Sequence, residues 1–328
     1  MMKIAVIKSG AIGDVLMTTP FLRGLRNTFP DAEIVYVTGK WSLDAIRGNA
    51  DINRIIAFDQ NSIFGSLRQK IKLLKLLKKM RSERFDVCFV LDKSWLAGVF
   101  AWLCAIPDRV GFARGWEGFA HTKTVKYERV KHEIQYYLDM LVYFTKEACG
   151  TLMNMHIGDD DMQYARDLVR DAAGRKLIAM SLSGGNPGQS SASRDWAAEN
   201  YQRMAAIAET KGWKVVCLGS KGMEGRNVYN LAGKTSLKEA AAVLRECSLL
   251  VCGDSGLMHV AAAVGTPVLS IFGPTDPRRK APLDRYSAWL WRGSDCTKCE
   301  LYGRYCKNHP SPDEITVEEA ASQLERMV

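Results

Sequence analysis

Short runs of apolar, often β-branched residues alternate along this chain with longer stretches whose apolar residues recur every three or four positions. The short runs predict buried strands, and the longer stretches predict amphipathic helices. Strands are predicted at residues 4–8, 33–38, 54–58, 86–91, 108–112, 176–182, 213–218, 249–252 and 267–272. Helices are predicted at residues 15–29, 66–83, 133–149, 160–173, 200–211, 237–246, 257–264 and 317–327.

Strands that alternate with helices predict an α/β fold, in which helices cover both faces of a parallel sheet. The alternation stops near residues 150–160 and then restarts, which predicts two domains, residues 1–155 and 156–328. Thr316 and Glu319 have the spacing of a capping box that opens the last helix, a candidate to pack back on the first domain. Two such halves predict a ligand held between them, at the carboxyl ends of the strands.

The composition is typical of a soluble globular protein, with 47% hydrophobic and 25% charged residues. No apolar run reaches the ~18 residues of a membrane-spanning helix, and the first apolar stretch is too short for a signal peptide. A cytoplasmic location is therefore predicted. The net charge of +9 favours an anionic partner such as nucleic acid, a phosphorylated glycolipid or a membrane surface, although moderately basic cytosolic enzymes are also common.

The nine cysteines fit that compartment. Three of them cluster with a histidine, but the six residues between Cys299 and Cys306 are few for a zinc knuckle or ribbon. A structural metal there stays an open alternative, and no catalytic metal is predicted. The members of the cluster are Cys296, Cys299, Cys306 and His309. The other six lie in apolar segments, where buried free thiols are expected: Cys88, Cys104, Cys149, Cys217, Cys247 and Cys252.

A loop with two glycines, Gly10 and Gly13, joins the first predicted strand to the first helix. Glycine lets a backbone approach a ligand closely. The loop is not the G-x-G-x-x-G fingerprint, and the second strand lacks an acid at its end, so a nicotinamide-binding oxidoreductase is disfavoured. Asp14 has two interpretations that both stay open. It either caps the helix that follows or serves as a base that takes a proton from an attacking hydroxyl.

The most informative segment of the second half runs from a buried strand at 249–252 through Asp254, Ser255 and Gly256 into a helix of small residues. The N–H groups of Ser255, Gly256 and Leu257 begin that helix and predict a diphosphate site. Asp254 is predicted to accept hydrogen bonds from sugar hydroxyls, and His259 lies on the same helix face as Ser255. The alternatives are a helix cap for Asp254 or Ser255 and a packed core position for His259.

Weaker candidates follow three other strands of the second half. Ser183 and Gly184 open a glycine-rich loop that is suited to phosphate, and Arg194 would neutralise the phosphate charge. Glu224 would hold ribose hydroxyls by the logic of dinucleotide folds. Thr275 lies in a Gly- and Pro-containing turn that either borders the donor site or is only structural. A surface arginine and a solvated glutamate are the alternatives for Arg194 and Glu224.

These segments, in order along nearly the whole chain, resemble glycosyltransferase family 9, whose best-known members are the lipopolysaccharide heptosyltransferases. The most specific pair is Asp-Ser-Gly-x-x-His at 254–259 and Phe-Gly-Pro-Thr-Asp-Pro at 272–277. Supporting segments are Gly13-Asp14 and residues 109–112, 194–196 and 230–237. The resemblance implies a GT-B architecture of two Rossmann-like domains facing a central cleft. It also implies inverting transfer, without a cofactor or essential metal, from a nucleotide sugar, typically ADP-heptose, to an anionic glycolipid core.

The resemblance also implies roles for single residues. Asp14 becomes the base that deprotonates the acceptor hydroxyl on the first domain. Arg194 stands where relatives often have lysine, which keeps the charge but not the geometry. Segment 183–193 is longer than in the best-known heptosyltransferases. The donor residues implied in the second domain are Asp254 and His259 near the sugar, Ser255 and Gly256 near the diphosphate, and Glu224 near the ribose.

The predicted helix at 66–84 is strongly basic. Its charged face is either solvated or contacts anionic headgroups on the cytoplasmic face of the inner membrane. No motif supports nucleic-acid binding. For the whole chain, the alternatives are a family 9 transferase with another nucleotide sugar and a catalytically silent paralogue that binds nucleotide sugar or glycan. The basic residues are Arg68, Lys70, Lys72, Lys75, Lys78, Lys79 and Arg81.

Overall fold

The computed structural model describes residues 1–59, 67–113, 115–127, 130–172, 174–182, 193–225, 227–293 and 310–328, with the backbone alone for 67–70. The chain divides into two compact units, Met1–Thr151 and Leu152–Val328. Residues 183–184 and the Cys296–His309 cluster lie outside the described parts, and so do the side chains of Arg68 and Lys70.

The first unit is built on one six-stranded sheet. Its strands are β1 (Lys3–Ile7), β2 (Glu33–Gly39), β3 (Arg54–Phe58), β4 (Val87–Val90), β5 (Asp108–Ala113) and β6 (Lys123–Lys126). They lie in the order β3-β2-β1-β4-β5-β6, and all neighbouring pairs are parallel. Its helices are α1 (Ile12–Leu16), α2 (Thr19–Thr28), α3 (Leu43–Ile46), α4 (Leu67–Glu83), α5 (Trp95–Leu103) and α6 (Glu133–Asp139). Short 3-10 helices span Lys40–Ser42, Gly115–Gly118 and Met140–Tyr143.

The second unit repeats this plan. Its strands are β7 (Leu177–Ser181), β8 (Lys214–Cys217), β9 (Val228–Asn230), β10 (Leu249–Gly253), β11 (Val268–Phe272) and β12 (Ala288–Trp291). They lie in the order β12-β11-β10-β7-β8-β9, again with parallel pairs. Its helices are α7 (Asp159–Leu168), α8 (Ala198–Thr210), α9 (Leu237–Glu246), α10 (Gly256–Ala263), α11 (Pro277–Lys280) and α12 (Val317–Met327), with 3-10 helices at Arg170–Ala172 and Pro312–Glu314.

Each sheet has one point where the strand order reverses. In the first unit the chain builds outward from β1 to β3 and then crosses back to place β4 on the other side of β1. In the second unit the same reversal places β10 beside β7. Open α/β sheets bind ligands at the carboxyl ends of the strands beside such a reversal. The two places where a ligand is expected are therefore the β1–β4 edge and the β7–β10 edge.

The predicted α/β class, with two Rossmann-like parallel sheets, is confirmed. The central strands β1, β4, β7, β10 and β11 are buried over nearly all their residues, as parallel strands covered on both faces must be. Among the described helices, none is long and apolar enough to cross a membrane.

The last helix begins with the capping box that the sequence predicted. Thr316 accepts a hydrogen bond from the Glu319 N–H, and the Glu319 side chain accepts one from the Thr316 N–H, so the capping box is confirmed. Ala320 and Leu324 are buried in the core of the second unit, where α12 packs on α8 and β11. A stripe of small apolar residues is best covered by the nearest apolar layer, which here is its own unit.

The helices predicted at 15–29 and 133–149 differ most from the structure. The helix predicted at 15–29 is interrupted between α1 and α2, because Thr18 bonds back to the Val15 carbonyl and Pro20 has no N–H to continue the ladder. The helix predicted at 133–149 ends as a 3-10 turn at Tyr143. Elements absent from the prediction are α3, α5, α11, β6, β9 and β12.

The six cysteines outside the cluster carry free thiols. Five are buried, as expected, and Cys149 is half-buried. Burial raises the pKa of Cys104 and of Cys247 to about 12, because the charged thiolate is poorly solvated there. A thiol held neutral is a poor nucleophile, so these cysteines serve packing rather than chemistry.

Candidate active site

The reversal point of the first unit carries a buried cluster of charged residues. Lys8 follows β1 and Asp92 follows β4, and their Nζ and Oδ1 atoms are 3.4 Å apart. Asp92 Oδ2 also accepts hydrogen bonds from the Ser9 N–H at 2.9 Å and the Ser9 hydroxyl at 2.6 Å. The Lys8 ammonium donates to the Leu91 carbonyl at 3.5 Å. Four groups from two neighbouring strands thus converge at the carboxyl edge of the sheet.

Lys8 is the cation of this cluster, and its side chain is almost completely buried. Burial by itself would lower the pKa of Lys8, but the negative charges of Asp92, Asp14 and Glu133 outweigh it and hold the pKa above the ordinary 10.5. Lys8 is therefore charged at any physiological pH. A buried ammonium of this kind fixes the positions of the carboxylates around it.

Asp14 lies in this same cluster. Ala11, not Asp14, occupies the cap position of α1, and Asp14 is the third residue of the helix. Its Oδ2 lies 3.1 Å from where a Cβ on Gly10 would stand, and the Lys8 Cε lies 3.3 Å from that point. The half-buried carboxylate thus lies against the bare backbone of Gly10 and beside the buried ammonium. Gly13 is buried within α1 itself.

A second ion pair, between partly exposed Lys93 and buried Glu133, adjoins Asp92 along the chain. Lys93 Nζ donates to Glu133 Oε1 at 2.5 Å and to the Tyr127 hydroxyl at 2.6 Å, and that hydroxyl donates to Glu133 at 3.0 Å. Glu133 is the first residue of α6, and the His132 ring caps this helix by accepting a hydrogen bond from the Ile134 N–H. Sequence reasoning missed Lys8, Asp92, Lys93 and Glu133. For Lys8, Asp92 and Lys93 the available signal was a charged residue soon after a buried strand, and for Glu133 it was an acid in the first turn of a helix.

Gly10→Ala tests how closely this cluster is packed. The added methyl would press on the Asp14 carboxylate and the Lys8 stem, so we expect kcat to fall about tenfold through displacement of Asp14. The midpoint of thermal unfolding should change little, because the backbone at Gly10 is not in the left-handed region. The turnover rate at saturating substrates measures the effect. Gly150→Ala is the matched control, since its Cβ meets nothing within 4 Å. Equal kcat for the two variants would show that Asp14 needs no fixed position.

The reversal point of the second unit carries the Asp-Ser-Gly turn. Strand β10 is buried throughout and passes through buried Asp254 into α10. Ser255 is the cap of α10, with its hydroxyl accepting a hydrogen bond from the Met258 N–H at 3.4 Å. The N–H groups of Gly256 and Leu257 precede the first helical hydrogen bond, and both residues are partly exposed. The start of α10 therefore offers backbone donors to an anion.

Arg194 and Asp254 are brought together at this edge. The Arg194 Nη1 and Asp254 Oδ2 atoms are 3.7 Å apart, and both side chains are largely buried. The approach depends on glycine, because a Cβ on Gly253 would stand 2.9 Å from the Arg194 carbonyl oxygen. Gly273 at the end of β11 plays the same part, with the Ser193 carbonyl oxygen 3.0 Å from its missing Cβ. The chain at 193–194 thus lies directly over the ends of β10 and β11.

The turn after β11 contains one residue that caps a helix and one that is suited to bind a ligand. Asp276 caps α11 by accepting a hydrogen bond from the Arg278 N–H at 2.9 Å, and Pro277 takes the first helical position. Thr275 is buried, and its hydroxyl has no hydrogen-bond partner among the described residues. A buried hydroxyl without a partner is costly, so Thr275 is suited to bind a ligand. His259 is buried within α10.

Glu224 is less constrained than the other candidates. It is exposed in the loop that follows β8, next to buried Met223. Because β8 lies beside β7, that loop leaves the same sheet edge as the β7–β10 reversal, one strand further out.

Known proteins are similar to this chain over most of its length. The family model for glycosyltransferase family 9 (heptosyltransferase) matches residues 73–309. The chain belongs to glycosyltransferase family 9. It is 24% identical, over all of this chain and 99% of the relative, to lipooligosaccharide heptosyltransferase 2 of Haemophilus influenzae.

Solved structures show the same fold. A family 9 glycosyl transferase from Veillonella parvula has a TM-score of 0.83 and 22% identity, with 99% of this chain and 97% of that chain covered. The E. coli ADP-heptose lps heptosyltransferase II has a TM-score of 0.78 and 21% identity, with 99% and 98% covered. The α/β GT-B fold is thus confirmed, and this member of glycosyltransferase family 9 is an enzyme that transfers sugar from a nucleotide sugar.

Proposed function

We propose that this family 9 enzyme transfers heptose from ADP-heptose to a lipopolysaccharide core glycolipid. The observation that carries the proposal is the turn between β10 and α10, at the point where the strand order reverses. There Asp254 lies next to Arg194, and Ser255 caps a helix whose first N–H groups, of Gly256 and Leu257, precede the first helical hydrogen bond. Relatives with full-length coverage are named heptosyltransferases, and one solved relative is named for ADP-heptose. These relatives favour ADP-heptose over other nucleotide sugars as the donor.

The donor diphosphate is placed at the start of α10. The N–H groups of Gly256 and Leu257 and the guanidinium of Arg194 would stabilise the charge that gathers on the leaving ADP. Asp254 and His259 would contact the sugar, and the Thr275 hydroxyl would donate to or accept from the donor. Glu224, Ser183 and Gly184 keep their predicted roles near the ribose and phosphate. This arrangement supplies the positive field by itself, so we propose a reaction without cofactor or metal.

The acceptor reacts at the first unit. Its hydroxyl oxygen attacks the anomeric carbon of the heptose, and the bond from that carbon to the diphosphate oxygen breaks with its electron pair leaving on ADP. The hydroxyl proton passes to the Asp14 carboxylate. A single displacement from the side opposite the leaving group gives inversion. Lys8 keeps Asp14 in place, and the charge of Lys8 favours the ionised form that a base requires.

ADP release and acceptor mass test the reaction directly. Purified protein is incubated with ADP-heptose and a truncated lipopolysaccharide core, and a heptose-sized mass gain with equimolar ADP is expected. Transfer from another sugar nucleotide in a panel, but not from ADP-heptose, would support a different family 9 donor. Donor binding without transfer to any core acceptor would support a silent nucleotide-sugar-binding paralogue.

Arg194→Met should reduce kcat by roughly 30-fold, because a charge-assisted hydrogen bond to the leaving diphosphate is worth ~2 kcal/mol. Arg194→Lys should recover part of the loss, since the charge stays while the fork geometry is lost. The matched control is Arg203→Met, an exposed arginine of the same unit that pairs with Glu318 on the surface. If Arg194→Met and Arg203→Met gave the same kcat, Arg194 would not contact the donor.

The acceptor proposed here is a glycolipid, which places the enzyme on the cytoplasmic face of the inner membrane. The basic helix α4 supports that contact, because its described lysines at positions 72, 75, 78 and 79 are exposed. Lysines in this arrangement attract anionic headgroups.

A further inference from the structure

Helix α5 of the first unit is apolar on every side. Its nine residues are Trp-Leu-Ala-Gly-Val-Phe-Ala-Trp-Leu. None of them is charged, and their polar side-chain groups are the two indole N–H groups. A helix that is apolar all round is normally buried. Here Ala101 is buried in the core under the sheet and Gly98 is buried against His121, but Trp95, Leu96 and Trp102 are partly exposed, with Trp102 55% exposed. The outward face of this helix is therefore partly open to solvent, and Trp116 is a neighbour of its Trp95.

The turn after β5 extends this apolar face. Trp116 is 69% exposed and Phe119 is 59% exposed, and their rings stack with centroids 6.2 Å apart. The Trp116 ring also lies 6.1 Å from the Trp95 ring, which joins the turn to α5. Exposed apolar side chains are ordinary when scattered, but a joined group of them marks an interaction site.

Helix α4 lies next to α5 and adds positive charge. Leu77 and Met80 of α4 pack in the same core as Ala101 of α5 and Cys104, the residue after α5, so both helices cover the same face of the sheet. On its outer side α4 exposes Leu74, at 62%, together with a row of cations. Between residues 71 and 82 this helix carries no acidic residue. The exposed cations are Lys72, Lys75, Lys78, Lys79 and Arg81.

We propose that these groups form one membrane-docking surface, the α4–α5 surface, made of Leu74, Trp95, Trp102, Trp116, Phe119 and the α4 lysines. Its occupant is an anionic lipid bilayer. Tryptophan rings are suited to the boundary between headgroups and acyl chains, and lysines reach the lipid phosphates while their stems cover apolar surface. Nine residues are too few to span a bilayer, so α5 lies in the interface.

This inference deepens the membrane contact proposed above and rests on it for its purpose, since a glycolipid acceptor requires a membrane-bound enzyme. It assigns the anchoring to the aromatic face of α5 and the turn, and the lipid selectivity to α4. Attraction between lysines and anionic headgroups is weak and is screened by salt. Binding through aromatic rings inserted into the bilayer interface persists at high salt concentration. The contributions of the aromatic rings and of the α4 lysines can therefore be separated by the salt dependence of membrane binding.

The test is vesicle co-sedimentation of the full chain, without donor or acceptor. Vesicles of phosphatidylcholine with about one-third phosphatidylglycerol are compared with vesicles of phosphatidylcholine alone. We expect at least tenfold stronger partitioning to the anionic vesicles, with a blue shift of tryptophan fluorescence. Trp102→Ser combined with Trp116→Ser should weaken partitioning about tenfold at every salt concentration. Lys75→Gln, Lys78→Gln and Lys79→Gln together should weaken it only at low salt.

Matched controls come from the second unit. Trp289→Ser removes a tryptophan that is 44% exposed, and Lys211→Gln, Lys221→Gln and Lys234→Gln remove three exposed lysines. Both controls should partition like the unaltered chain. Absence of binding to anionic vesicles, or equal binding by the tryptophan variant, would overturn the proposal. A dimer of the unaltered chain in solution that the tryptophan variant abolishes would also overturn it, in favour of a contact between two copies.

The outcome is independent of the proposed reaction. ADP release with a delipidated core acceptor needs no vesicle, so the tryptophan variant should keep full kcat in that assay. If the unaltered chain bound vesicles but transferred no sugar, that result would count against the proposed function and not against the membrane-docking surface.

Discussion

Asp14→Asn should reduce kcat about a thousandfold while leaving the affinity for ADP-heptose unchanged. The substitution keeps the size of the side chain but removes the carboxylate that accepts the acceptor's proton, and a general base contributes ~10² to 10⁴ to the rate. Asn at the third position of α1 keeps the hydrogen-bonding shape of the site against Gly10. Single-turnover transfer and equilibrium binding of donor, measured on the same preparation, separate the two effects.

Asp44→Asn is the matched control for this variant. Asp44 also lies in the first turn of a short helix of the first unit, where it pairs with Arg47 on the surface. Its kcat should equal that of the unaltered enzyme. If Asp14→Asn kept more than a tenth of the activity, Asp14 would not be the base. Asp92→Asn would then be the next variant, because Asp92 shares the Lys8 ammonium.

Lys8→Met should cost about 3 kcal/mol of folding free energy and reduce kcat a few hundredfold. Removing one partner of a buried ion pair leaves the other charge poorly compensated, which is the costly case. Asp92 keeps its two hydrogen bonds from Ser9, but Asp14 loses the neighbouring cation that favours its ionised form. Denaturant unfolding and ADP release measure the two effects separately.

The pH dependence follows from the same charges. The pKa of Lys8 is raised in the folded protein, so its stabilising effect is complete below the ordinary value of 10.5 and is lost as the pH rises from there through the higher folded pKa. Between pH 5 and 9 the contribution of Lys8 is therefore constant. In Lys8→Met, the acid limb of the kcat–pH profile should move to higher pH, because Asp14 then takes up a proton more readily. The other ionisable groups that act on Lys8 are Asp92, Glu133 and Tyr36.

Two variants distinguish this role from simple damage to the fold. Lys8→Arg keeps the charge and should keep the position of the acid limb even if packing lowers stability. Lys3→Met removes a lysine from the other end of β1, where the side chain is one-third exposed and pairs with Glu33 and Glu83 at 3.5 Å. It should cost under ~1 kcal/mol, as surface pairs do. An acid limb that is the same in Lys8→Met and the unaltered enzyme would exclude the positioning role.

Hydrophobic periodicity was sufficient for most of the fold. Strands such as β4 and β10 are buried on both faces and read as unbroken apolar runs, so their positions were predicted within one or two residues. The pattern failed where it carries no period. Helix α5 is apolar throughout, and β9 has only three half-buried residues, so neither has a distinctive alternation.

Part of the candidate site could be predicted from the sequence, and part depends on the tertiary structure. The turn at Asp254, Ser255 and Gly256 is local, because a strand, a cap and a helix start lie within consecutive residues, and the sequence alone predicted it. Lys8 and Asp92 are far apart along the chain, and so are Arg194 and Asp254. Only the strand order decides that β1 lies beside β4, and only Gly253 lets the chain at Arg194 approach β10. The sequence therefore determined the elements and the local anion site. The tertiary structure decided the charge pairs, because their energy exists only once distant strands share one sheet edge.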